Sequence, residues 1–218
     1  TLTGAVATTN MGNSLVTYVT GRGFIALDFT TEYAPYGTAA ATDNVRESFT
    51  TDLTGLTGKT VNAIVLHNNT FASTNLNVTG AGAGQSLTST SGAFLFTIAS
   101  STGSTVATNV GGFDSGIAVG GSEYVMHVVN PSAAAGSAVN VVTLNSPLTT
   151  AADLTKSGRG TLILTSVNTA GGGVNKTTIN EGILEISDLD NLGGDTGALV
   201  LAGGTLRLSG TYSGDDLS

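Results

Sequence analysis

An all-β chain is what this sequence predicts, and within that class a right-handed parallel β-helix (a solenoid) with a less regular N-terminal block. Three observations predict it. Apolar residues alternate with a period of two, the signature of strands that bury one face. Helix signals are nearly absent, and Gly, Asn and Asp clusters punctuate the runs as turn chemistry requires. The last third repeats at a step of 22 residues, marked by Gly160, Gly182 and Gly204.

The clearest alternating runs are Ser14–Thr20, Val61–Leu66, Leu76–Thr79, Ala93–Ile98, Tyr124–Val129, Ala138–Leu144, Thr161–Thr165, Ile183–Ser187, Ala198–Ala202 and Thr205–Ser209. Before Thr60 the strand signals are weakest, apart from Gly23–Phe29. Eight charges fall between Arg22 and Lys59, together with Phe24, Phe29, Tyr33, Tyr36 and Phe49. Residues 1–59 therefore read as a cap or insertion, in which Thr42–Thr50 fits a short helix. Residues 60–218 read as the β-helix, its 22-residue coils clearest over 154–210.

The repeat aligns Gly160-Thr-Leu-Ile-Leu164 with Gly182-Ile-Leu-Glu-Ile186 and Gly204-Thr-Leu-Arg-Leu208. Thr178-Ile179 aligns in the same way with Val200-Leu201. Each unit is a strand, a tight Gly turn, a second strand and a longer loop. One such unit cannot bury its apolar face alone, but stacked units can. Leu162, Leu164, Leu184, Ile186, Leu206 and Leu208 share the inner face. Glu185 and Arg207 fall on the outer one, in line with Ile163. The Gly before each second strand is expected at positive φ, where a Cβ would clash.

Composition narrows the function. Seven Lys plus Arg against 15 Asp plus Glu give a net charge of -8. That excludes the basic stripe of a nucleic-acid binder and the basic segment that docks on anionic lipid. Only 10% of residues are charged, so Thr, Ser and Asn supply the surface polarity. There is no Cys, hence no disulfide and no thiolate metal site. No apolar run approaches the length of a membrane helix. The chain starts without Met and stops inside what reads as another repeat, which suggests a piece of something longer.

Leu154-Thr-Lys-Ser-Gly-Arg-Gly-Thr-Leu-Ile-Leu-Thr165 carries a family likeness. So do Asn168-Thr169, Gly171-Gly172 and the run Thr178-Ile-Asn-Glu-Gly-Ile-Leu184. Together they resemble the autotransporter-associated β-strand repeat family. Lys156 between two strands, followed by Gly158 and Gly160, is the distinctive combination. Ala170 stands where the family usually has Tyr, and Gly173 where it has Thr. The likeness covers about residues 153–187, with a looser copy over 198–210. It implies a β-helical passenger region of a large exported protein at the bacterial cell surface, secreted or extracellular, commonly an adhesin or scaffold.

Candidate chemistry is sparse. Glu181, Glu185, Asp188 and Asp190 form the densest acidic group, read as solvated turn residues or, more sharply, as a shallow cation site. His67 and His127 lack partner ligands in the sequence, so each reads as a hydrogen-bonded structural residue rather than a zinc ligand or a catalytic base. No Gly-x-Ser-x-Gly elbow occurs. Gly80–Gly84 and Gly171–Gly173 lack the Lys-Ser/Thr that a phosphate loop needs. Gly111-Gly-Phe-Asp114 and Gly193-Gly-Asp195 echo a calcium β-roll without repeating in tandem. Asn68, Asn77 and Asn175 begin glycosylation triplets of the kind a Thr/Asn-rich chain contains by chance.

The sequence thus predicts no catalytic residues, no cofactor and no metal. The expected function is a structural or adhesive segment forming a stiff stalk or extracellular fibre. Its expected partners are other copies or adjacent repeats, with glycans or a host or cell surface as further candidates. No nucleic acid is expected, nor membrane insertion by this piece. Two alternatives carry different expectations. A carbohydrate-active β-helix enzyme needs converging carboxylates with aromatics for sugar stacking. A β-sandwich pilus or surface-layer subunit needs antiparallel strands.

Overall fold

The computed structural model describes residues 14–99, 103–131, 137–168, 174–193 and 197–210. They are all-β, with no α-helix among them. The first element is a hairpin, β1 (Val16–Val19) and β2 (Gly23–Ala26), the one antiparallel pairing among the described residues.

From there the chain visits its sheets in a fixed cyclic order. β3 (Asn44–Phe49), β4 (Leu53–Leu56) and β5 (Lys59–Val61) enter three sheets in turn. β6 (Ala63–Asn68), β7 (Thr74–Gly82) and β8 (Leu87–Ser89) repeat the circuit, and so do β9 (Ala93–Ile98), β10 (Thr105–Phe113) and β11 (Ile117–Val119). Thereafter only two sheets are used. β12 (Glu123–Val128), β14 (Ala152–Ser157), β16 (Val174–Ile179) and β18 (Ala198–Leu201) extend the first. β13 (Val139–Leu144), β15 (Thr161–Leu164), β17 (Ile183–Ile186) and β19 (Thr205–Leu208) extend the second. The result is two seven-stranded sheets and one of three strands, with parallel neighbours throughout. This topology is compatible with a parallel β-helix and excludes the antiparallel sandwich.

The registers explain why the 22-residue step fades upstream. Partners in the first sheet are Ile64, Phe94, Met126, Lys156, Ile179 and Leu201. Successive spacings along that series are 30, 32, 30, 23 and 22 residues. The longer circuits contain the extra strand of the third sheet, and the step shortens when that strand is dropped. A remnant survives in the fourth circuit, where Leu148 makes an isolated parallel bridge to Ile117.

Period-two burial builds the core from these columns. Val45, Ile64, Phe94, Met126 and Ile179 are buried one above another. Across the interior, Val142, Leu162 and Leu184 form one column, and Leu144, Leu164 and Ile186 another. Leu206 and Leu208 stand next in register, as the sequence predicts. On the outer face Ile163, Glu185 and Arg207 are also in register, and Arg207 Nε donates to Glu185 Oε2 at 2.7 Å.

Three expectations need correcting. Thr42–Thr50 is not helical: it contains β3, whose Val45 and Phe49 are buried and which pairs with β6 over its whole length. Tertiary pairing overrides a mixed local signal here. The parallel ladders consequently begin at Asn44, inside the block assigned to residues 1–59. The third concerns the repeated glycines. Of Gly160, Gly182 and Gly204 only Gly182 has positive φ, at 73°. Gly160 and Gly204 are required for close approach instead. A Cβ on Gly160 would overlap Val128 Cγ1 and lie 2.9 Å from Asn140 O, and one on Gly204 would overlap Ile179 Cγ2.

The two ends of the ladder differ. At the first circuit Ala34 bridges in parallel to Val45, its N–H donating to Asn44 O at 2.8 Å. Tyr36 is buried and donates its hydroxyl to Thr57 O at 2.9 Å, and the Phe29 ring lies 4.2 Å from the Arg46 guanidinium. Residues 29–39 therefore close that end. At the other end every residue of β18 is exposed. Ile179 is fully buried, whereas Leu201, next in its column, is 57% exposed.

Candidate functional site

The most developed polar site lies inside the ladder. Lys156 is the fifth residue of β14, two after Leu154, and so shares its inward parity. It stacks between Met126 and Ile179 and is fully buried. Its aliphatic stem continues the apolar column. Its ammonium donates to Ser157 O at 2.9 Å, Gly158 O at 2.6 Å and Glu181 O at 3.0 Å. Three donors meet three acceptors, which is the whole capacity of an ammonium. Two of those carbonyls belong to the corner following β14 and the third to the equivalent corner one circuit on. Lys156 thus ties successive corners together. Burial pushes its pKa down to about 8, and the Glu181 carboxylate partly offsets this.

The histidines sit on the other face of the same sheet. His67 is buried and its Nδ1 lies 2.8 Å from Thr97 Oγ1, its partner in register. His127 Nδ1 lies 2.8 Å from Ser157 Oγ, again its partner in register. Both are hydrogen-bonded within the ladder, as the sequence suggests. Burial holds the His67 pKa down at about 4, with the Arg46 charge adding to the effect, while a hydrogen bond to Asn69 opposes it. Burial and then the Lys156 charge lower that of His127, and Glu181 opposes them.

This predicts an acid limb of stability. His67 has a folded-state pKa below its unfolded value of 6.5, so the unfolded chain takes up the proton first and stability falls as pH drops from about 6.5 to 4. The loss from this group is about 2 kcal/mol by pH 5. Urea titrations of His67→Gln between pH 8 and 5 are expected to show a shallower decline than the parent chain. Parallel declines would remove His67 as the cause.

The acidic group does not converge. Glu181 accepts from Arg159 Nε at 3.0 Å, and Glu185 is engaged by Arg207. Asp188 caps a single 3-10 turn, Leu189–Leu192, by accepting from Asp190 N. No group of three or more His, Cys, Asp or Glu among the described residues is arranged to hold a metal ion. Two surface depressions of about 250 and 240 Å³ lie at the first circuit, lined respectively by residues such as Glu32 and Asp43 and by Tyr36, Glu47 and Leu56. Both are remote in the ladder from Glu181–Asp190.

The glycine-rich stretches are structural where they are described. Gly80 lies in β7, with Gly112 O and the Phe113 ring packed where its side chain would be. Gly111 and Gly112 lie in β10, and Gly193 ends the 3-10 turn at a φ of 94°. Gly171–Gly173, Gly194 and Asp195 fall outside the described residues. Of the three glycosylation triplets, Asn68 is fully buried, Asn77 is tied to Asp52 and Asn109, and Asn175 is exposed.

Sequence reasoning singled out Lys156 only as part of a family likeness and missed its interior role. The available signal was parity: a lysine at an inward position, directly before a Gly-x-Gly corner, has only backbone carbonyls to meet. Comparison of the chain with protein-family models, curated proteins and solved structures finds no match. No helix among the described residues is long and apolar enough to cross a membrane.

Proposed function

We propose that the chain winds as a right-handed parallel β-helix and serves as a structural or adhesive segment, a stiff stalk or extracellular fibre, of a secreted bacterial surface protein. The observation that carries this reading is the pair of seven-stranded parallel ladders around continuous apolar columns. Right-handed winding is the sense that parallel crossover connections take. The likeness of Leu154–Thr165 to autotransporter-associated repeats supports a place at the cell surface. The outer face of the second sheet supports polar, uncharged contact with glycans or neighbouring copies. There Asn109 bridges the side chains of Asn75 and Asn77 at 2.7 and 3.0 Å.

Stretching one molecule between its ends tests the reading. Each circuit contacts mainly its neighbours, so the ladder is expected to unravel stepwise. Increments of about 80 Å are expected for 22-residue circuits and about 110 Å for the longer ones. One all-or-none release, or cleavage of a polysaccharide by the same purified chain, would overturn the structural role.

A further inference from the structure

The described surface carries two apolar patches at opposite ends of the ladder, and each is an unpaired β edge. The first is the β1–β2 hairpin. Its register places Val16, Tyr18, Phe24 and Ala26 on one face, with Tyr18 and Phe24 in edge-to-face contact at 5.5 Å. Tyr18 is 63% and Phe24 79% exposed. A two-stranded hairpin is marginal by itself and gains from any sheet it joins. This hairpin is tethered to the closed end through Tyr33, whose hydroxyl meets Ser14 Oγ and accepts from Leu15 N. Tyr33 in turn belongs to the segment that covers β3.

The second patch is the free edge formed by β18 and β19, where Leu199, Val200, Leu201 and Leu208 are exposed. The inner columns define what fits there. Every inner position that has a following strand is buried, and the same column is exposed where the strands stop. The missing occupant is therefore a β element with an apolar face. Ladder pairing at the opposite end is already taken by Ala34, so the hairpin is the free apolar β element that a second copy offers.

We propose that the β1–β2 hairpin of one copy joins the β18–β19 edge of the next, linking chains head to tail. This deepens the structural reading and rests on it. Charge agrees with the pairing. Arg22 at the hairpin turn is the hairpin's one charge, and the receiving end carries Glu181, Glu185, Asp188 and Asp190 against Lys176 and Arg207. Because donor and acceptor are different surfaces, the contact is heterologous and does not close on itself as a two-fold dimer does.

The test uses the full chain in light scattering and sedimentation across a concentration series. The mean mass is expected to rise past the dimer without a plateau. A Tyr18→Asp/Phe24→Asp double variant blocks the donor, and Leu199→Asp/Leu201→Asp blocks the acceptor. Each is expected to be monomeric alone, and an equal mixture to form dimers and nothing larger. Arg22→Glu, which leaves the apolar faces intact, is expected to weaken assembly roughly tenfold, the order of one desolvated charge contact. A monomer at every concentration, a species that stops at the dimer in the parent chain, or blocked variants that fail to complement would each overturn the joining. A monomer that still unravels circuit by circuit under force would overturn the joining alone and leave the structural reading standing.

Discussion

Replacing Gly182 by alanine is expected to lower the unfolding free energy by about 2–5 kcal/mol. Two penalties act together. The backbone φ of 73° lies in the left-handed region, which costs an L-residue about 1–2 kcal/mol. The added methyl would also meet Gly160 O at 2.5 Å and the Arg159 carbonyl carbon at 2.8 Å, and would press still closer on Gly158 O. All three are backbone atoms of the preceding corner, so no side chain can swing away. Relief requires the two corners to separate, and Ile183 N donates to Gly160 O at that point. Gly121→Ala is the control. Nothing lies within 4 Å of its added methyl and its φ is not positive, so stability there is expected to hold or rise slightly. Urea midpoints at constant m-value measure both. Equal midpoints for the two variants would mean that close stacking at the corner contributes nothing.

Truncation of Lys156 to alanine is expected to cost about 2–4 kcal/mol, whereas Lys156→Met is expected to stay within about 1 kcal/mol of the parent. Three effects compete. The buried stem contributes about 0.8 kcal/mol per methylene, which alanine forfeits and methionine largely keeps. Either substitution leaves the carbonyls of Ser157, Gly158 and Glu181 without their donor, a loss of about 1–3 kcal/mol. Either one also removes the penalty of burying a charge. With a folded pKa of about 8 against 10.5 unfolded, that penalty is of order 3 kcal/mol. The last two effects nearly cancel, so the stem decides. The sign of the pH dependence follows. The ammonium is charged in both states below about pH 8, and its burial penalty is relieved as pH rises from about 8 to 10.5. The parent chain is therefore expected to gain stability across that window relative to Lys156→Met. Methionine as damaging as alanine would show that the carbonyl contacts dominate.

Alternation made most strands readable, because each buried column imposes a period of two on its own strand. The 22-residue step was readable because β14 to β19 use the same two sheets with loops of similar length. The upstream circuits hid from it. Their third-sheet strands β5, β8 and β11 are three residues long, too short for alternation to register, and they stretch the step to 30–32 residues. β3 was unreadable for a different reason. Arg46, Glu47 and Ser48 fill its centre, and only pairing with β6 makes it a strand. The interior role of Lys156 was in principle visible from its parity beside Leu154. The carbonyls around it were not, because one comes from Glu181, a full circuit away.

The loss of the third sheet after β11 has a mechanical consequence. A beam resists bending according to the breadth of its cross-section, and this one changes breadth partway along. The Asn44–Val119 portion, braced on three sides, is expected to behave as the rigid base. The narrower portion beyond Leu148 is expected to flex first, so thermal bending and any sideways load concentrate near the junction marked by the Ile117–Leu148 bridge.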